Sequence, residues 1–327
     1  MPVSKPVLDL HEAYRDDIAD LVTRRPIPSR ALDHIGAFLF LNHHGPQVYP
    51  PNNRGLPFGP HPHRGFETVT FMLEGPLAHK DSAGHESIIT KGGVQWMTAG
   101  SGLTHAEISP DDFKRTGGPL EILQLWVNLP ARLKMTAPAY TGVQKDQIPA
   151  IIADEGRVTL NLIAGEWQGQ KGPISSLTGM FMTTLELQPG GRILFEGLGD
   201  RDVFCYVVRG DVAINGTDVR KWHLVEFGGG DQVGDLGWLR HVGRVIERLA
   251  TGCFQRLADL FDFGCIAKAI DHDIGAFRRE CLGNAKANAA GGAGDDNCSF
   301  HLNFPSRRMP MDDGCFVAPA KSKVSLK

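Results

Sequence analysis

From residue 34 onward the chain is cut into short β-rich runs by Gly and Pro turns, and this punctuation limits its fold more than any other feature. The runs AFLFL (37–41), ETVTFML (67–73), SIIT (87–90), GVQWMTA (93–99) and EILQLWVNL (121–129) succeed one another. ETVTFML carries β-branched and aromatic residues and no helix cap, which is a strand signature. A second series extends from Val158 to about Gly228 and holds VTLNLIAG, GMFMTTLEL, DVFCYVVRG, DVAING and HLVEFG. Gln188-Pro189-Gly190-Gly191 separates two of these runs. Asn215-Gly216 is a strong hairpin signal, because a two-residue I′ turn needs positive φ at both positions. The 39 glycines and 21 prolines among 327 residues supply such turns throughout. The expectation is an all-β protein with two β blocks in tandem, each a sandwich or barrel.

The flanks read differently. Residues 8–23 space Leu8, Leu10, Ala13, Ile18 and Leu21 among charges, as a short amphipathic helix would. Pro26 and Pro28 then stop it. Residues 1–33 are therefore expected to be a helix and lead-in, 34–135 the first β domain, 136–157 a Pro-marked linker, and 158–228 the second. Beyond Gly228 the strand alternation disappears. Residues 241–262 carry a helical stripe from Val242 to Phe261, and 283–297 (GNAKANAAGGAGDDN) are low in complexity.

A net charge of −3 gives no support to direct nucleic-acid binding. The N-terminus has no apolar run of the signal-peptide kind, and no apolar stretch is long enough for a spanning helix. Cys205 stands alone in the first 252 residues, and no C-x-x-C pair occurs. A reduced, cytoplasmic protein with no membrane partner is the expectation.

The chemistry gathers on histidine. PHPHRGFETV sets His61 and His63 two residues apart, and LTHAE sets His105 and Glu107 at the same spacing. On strands, residues i and i+2 face the same way, so each pair can present two ligands to one point. Three imidazoles and a carboxylate suit a first-row transition metal, and an octahedral ion such as Fe(II) would keep two positions open. His79 and Gln95 are candidates to line the pocket, with His85 on a solvated turn. His43 and His44 read as an exposed turn, Arg24 and Arg25 as a solvated face, and Trp96 as core. The second block has one histidine, His223, and cannot repeat the three-histidine site. Cys253, Cys265, Cys281, Cys298 and Cys315 lack zinc-site spacing.

HPHRGFETVTFMLEG (61–75) and VQWMTAGSGLTHAE (94–107) resemble the two signature segments of the pirin family, and RRPIPSRALDHIGAFLFLNHHGP (24–46), AHKDSAGH (78–85) and LQLWVNLP (123–130) match as well. The resemblance covers residues 24–228. It implies a bicupin, two jelly-roll-like β-barrels in tandem, with one metal in the first, most simply Fe(II), held by His61, His63, His105 and Glu107. Glu67 is the carboxylate that other cupins would use. It is read here as a neighbour of the site, since on a continuous strand it shares a face with His63.

The resemblance implies two activities of different class. One is quercetin 2,3-dioxygenase chemistry, in which a flavonol ring is opened by O2 with release of carbon monoxide and Glu107 serves as base. The other is an iron-dependent redox sensor that binds a protein partner without turnover. The family pattern ends abruptly at Gly228. Residues 229–327 are thus expected to be an atypical tail, helical or disordered, produced by a shifted reading frame or by divergence, and the second barrel is expected to lack its last strands.

Overall fold

The structure, a computed structural model, describes residues 3–199, 201–238 and the strand Gly314–Ala320. Among these residues the regular structure is almost entirely strand, with one short α-helix at Asp111–Thr116 and three single 3-10 turns. No helix among them is long and apolar enough to cross a membrane. The runs read from the sequence are the strands Phe38–Tyr49, Phe66–Glu74, Glu86–Ile89, Val94–Thr98 and Gly118–Asn128, then Val158–Ala164, Met182–Leu187, Asp202–Val207, Asp211–Ile214 and His223–Phe227. Asn215 and Gly216 have φ of 48° and 78°, and join Asp211–Ile214 to Thr217–Arg220 as the hairpin signal required.

Each barrel is a seven-stranded sheet facing a four-stranded one. In the first, the large sheet centres on Phe66–Glu74 and Gly118–Asn128, and the small one orders Phe58–His63, Leu103–Ile108, Leu77–Asp81 and Glu86–Ile89. Met72, Leu120 and Ile122 of the large sheet meet Leu77 and Ile89 of the small one in a dry core. Strand alternation then dictates that the opposite face of the large sheet is apolar too. Phe38, Val69, Phe71, Leu123 and Leu125 pack there against Ile163, Met182, Phe204, Tyr206 and Leu224 of the second barrel. The two large sheets thus stand back to back, with Phe38 and Phe204 edge to face at 4.8 Å. A separate core fills the second barrel, around Leu160, Leu185, Phe195, Val203 and Val225.

Several boundaries differ from those read in the sequence. Residues 8–23 are not a helix: Val7–Glu12 is a strand paired with His223–Phe227, and Thr23–Ile27 pairs with Phe38–Tyr49. The edges of both large sheets have backbone donors and acceptors to satisfy, and that tertiary demand overrides a weak helical pattern. The segment 136–157 is more than a linker. Ala139–Val143 extends the first large sheet and Ala150–Ala153 the second. Nor does the second barrel stop at 228: Val233–Trp238 pairs with Arg192–Phe195 and Asp211–Ile214, and Gly314–Ala320 runs between Met182–Leu187 and Asp202–Val207. The stripe at 241–262, the low-complexity segment and the question of a shifted frame lie outside the described residues.

Candidate metal centre

Phe58–His63 and Leu103–Ile108 pair antiparallel, with His61 directly opposite His105 and His63 opposite Leu103. Same-face alternation then turns His61, His63 and His105 inward together. Their ring centroids lie 4.5 to 4.9 Å apart, and one ligand nitrogen from each falls within 4.8 Å of the others. The next pair along, Glu107 and His79, faces the same interior.

Three observations fit a cation at this point. His105 is 1% exposed, and neither of its ring nitrogens has a hydrogen-bond partner. A buried polar atom left unpaired costs about 1–3 kcal/mol, so a lone-pair acceptor such as a metal ion answers a real deficit. The Nδ1–H of His61 donates to the Gly59 carbonyl at 2.7 Å, which leaves Nε2 as the free lone pair. Burial, reinforced by the neighbouring imidazoles, pulls His105 down to about 3 and His63 down to about 4. Both are thus neutral near pH 7, the form that binds metals.

Glu107 stands slightly apart. It lies outside the group of mutually close ligand atoms, and its Oε1 accepts from the Thr70 hydroxyl at 2.8 Å and from the Gln95 amide. Burial pushes its carboxyl up, against those hydrogen bonds and the positive influence of His61. Thr70 and Gln95 reach it from the facing sheet, where they are direct cross-strand neighbours. Tyr140 donates to Gln95 Oε1 at 3.2 Å, and Gln124 Oε1 lies 2.8 Å from the Thr70 hydroxyl. A polar bracket from one sheet therefore fixes the carboxylate carried by the other.

His79 belongs to the same interior. Its ring stacks on Tyr140 at 4.0 Å and lies 5.4 Å from that of His105. Its Nε2 meets Asp81 Oδ2 at 3.1 Å, and His85 reaches the same carboxylate from the surface at 2.9 Å. Burial would raise the Asp81 carboxyl, but the donors His79, His85 and Ala83 outweigh it and hold the group low.

Glu67 is not a neighbour of the site. Gly65, at φ 78°, breaks the strand after His63, so the expected continuity of face is lost. Glu67 pairs with Thr98 and accepts its hydroxyl at 2.7 Å, on the face shared with Val69 and Trp96 that looks toward the second barrel. Trp96 is core, as read. His43 and His44 are buried instead of exposed, because Phe38–Tyr49 continues through both. His43 bridges Tyr206 of the second barrel at 3.0 Å and Glu121 at 2.9 Å, and His44 meets the Thr23 hydroxyl. Arg24 and Arg25 are half-buried rather than solvated: Arg24 lies 3.7 Å over Trp222, and Arg25 lies 5.1 Å over Phe40. Thr70, Asp81, Gln124 and Tyr140 are the site residues that sequence reasoning passed over. A signal existed for Asp81, inside the matched AHKDSAGH run, but Tyr140 sits in a segment with no motif.

Beyond His63 the wall is aromatic. Phe66 and Trp126 lie 4.9 and 5.3 Å from its ring, and Phe40 stacks on Trp126 at 4.4 Å.

Comparison with known proteins agrees with this architecture. The Pirin family model matches residues 20–127. A pirin-like protein of Caulobacter vibrioides is 43% identical over 178 residues, 54% of this chain and 63% of its own length. Pirin-like protein 2 of Arabidopsis thaliana is 34% identical over 236 residues, 70% of this chain and 69% of its own. The crystal structure of quercetin 2,3-dioxygenase from Acinetobacter baumannii is 31% identical with a TM-score of 0.67, over 72% of this chain and 83% of that one. The chain spans 60% to 66% of the length of several of the curated relatives it matches.

Proposed function

This chain belongs to the pirin family, and on that footing we propose that it is a metal-dependent dioxygenase that cleaves a flavonol ring of the quercetin type with O2. The observation that carries the reading is the buried, hydrogen-bond-free His105 set against His61 and His63. These three side chains would hold the metal, most simply Fe(II), with Glu107 as the fourth ligand. When bound, a divalent first-row metal supplies Lewis-acid polarisation of a substrate oxygen and redox chemistry with dioxygen.

The remaining work falls to the chain's own groups. The Gly59 carbonyl fixes the His61 tautomer. Thr70 and Gln95 orient the Glu107 carboxylate, and Tyr140 orients Gln95. A carboxylate whose proton affinity is raised by burial suits the role of general base, so Glu107 takes the proton of the substrate hydroxyl at its own oxygen. Phe66 and Trp126, beside His63, offer flat faces against which aromatic rings stack. The relative from Acinetobacter baumannii, named for this reaction, supports the substrate class.

The test is oxygen-dependent quercetin loss with detection of carbon monoxide, on Fe(II)-loaded protein beside His105→Ala. Carbon monoxide from the unmutated protein alone is expected. Folded, iron-loaded protein that leaves quercetin intact would overturn the reading and favour a redox-sensing centre that acts on a protein partner.

A further inference from the structure

The back-to-back sheets do not close completely. Between them lies a cavity of about 210 Å³, on the face of the first large sheet opposite the histidines. Alternation makes the separation sharp: Thr70 and Gln95 point to the histidine side, whereas their chain neighbours Phe71 and Val94 line this cavity. Its walls are apolar where the two barrels meet, with Val94 and Leu123 from one and Ile163 and Val208 from the other. Among the described residues three cationic side chains, Lys91, Lys145 and Arg209, also line it, against one acidic liner, Glu186.

The charges are not equivalent. Lys91 is matched by Glu74 at 2.7 Å, and Arg209 donates to buried Glu121, which in turn holds His43. Lys145, at an exposed position, makes no ion pair among the described residues, and neither does Glu186. The lysine stem is held in place. Gly92 has φ of 81°, and a Cβ there would come within 2.7 Å of Lys145 Cδ, so the lysine lies directly on the glycine. Asn161, whose amide donates to Thr184 at 3.1 Å, adds a polar group on the second-barrel side.

We propose that this inter-barrel cavity is a second ligand site, separate from the histidine centre, and that it takes a small organic acid with its apolar body between the sheets and its carboxylate on Lys145 and Arg209. Size selects the class. Drug-sized sites run about 300–1,000 Å³, so a cavity of 210 Å³ admits a single ring or short chain and excludes a flavonol. Charge selects the head group: among the described residues three cations line the cavity against one carboxylate, Glu186, and the ammonium donors of Lys145 are free of any ion pair.

The test uses the full chain, with benzoate and hexanoate as probes, benzyl alcohol as the uncharged control, and ligand-observed NMR titration as readout. Benzoate should bind the unmutated protein and His105→Ala alike, because the histidine centre is on the other face of the sheet. Lys145→Glu, at an exposed position that leaves the core intact, should weaken binding at least about tenfold, which corresponds to about 1.4 kcal/mol. The proposal is overturned by absence of binding of both acids at about 10 mM. It is equally overturned by unchanged affinity in Lys145→Glu, by loss of binding in His105→Ala, or by benzyl alcohol binding as well as benzoate. None of these outcomes depends on quercetin turnover.

Discussion

Replacing His105 with leucine should move stability in opposite directions with and without metal. In the metal-free protein the imidazole is 1% exposed with both nitrogens unpaired, and it sits within 4.5 to 5.4 Å, ring to ring, of His61, His63 and His79. An unsatisfied buried polar group costs about 1–3 kcal/mol, and an apolar side chain of similar size removes that cost. Metal-free His105→Leu is therefore expected to be more stable than the metal-free unmutated protein by about 1–2 kcal/mol. At the scale of about 2–4 °C per kcal/mol for a domain of 150–250 residues, that is a rise of several degrees in Tm. With metal at a hundred times its Kd, the unmutated protein gains about 2.7 kcal/mol through mass action, and the variant gains nothing. The order then inverts. Urea or thermal unfolding in the presence of chelator, and again with anaerobic Fe(II), reads both halves. Metal-free protein that loses stability on His105→Leu, together with equal metal-induced shifts in both proteins, would refute the reasoning.

Further outcomes follow from the same structure. Burial holds His63 near 4 and His105 near 3 in the native chain. The same depressed values mean that the unfolded chain takes up protons before the native one, so the metal-free protein should lose stability as pH falls from about 6.5 toward 4, measured by urea midpoints. Glu67→Gln should leave metal affinity within about twofold and Glu107→Gln should not, since Glu67 looks toward the other barrel; metal titration of both variants decides. Thr70→Val should lower turnover about tenfold while keeping the metal, as expected for loss of a group that orients the base.

What the sequence disclosed and what it hid divide along local and non-local lines. That His61, His63 and His105 face one interior was readable because two-residue spacing on a strand is a local rule, and the Asn215-Gly216 hairpin was readable for the same reason. Glu67 misled because one glycine, Gly65, ends the strand on which its face was counted. Val7–Glu12 misled because its conformation is set by a sheet edge more than two hundred residues away in the chain. His43 could not be recognised as buried until its partners Tyr206 and Glu121, from distant strands, were placed. Tyr140 is the same case at the site itself: nothing around it marks a functional residue, and its role comes from the register between Ala139–Val143 and Val94–Thr98.

Metal stoichiometry on single-histidine variants tests the central claim most directly. Anaerobic Fe(II) titration followed by elemental analysis should give about one ion per chain for the unmutated protein and close to none for His61→Ala, His63→Ala and His105→Ala, each checked for native folding. Folded variants that still retain a full equivalent of iron would place the metal elsewhere, and the account of this centre would fall with that result.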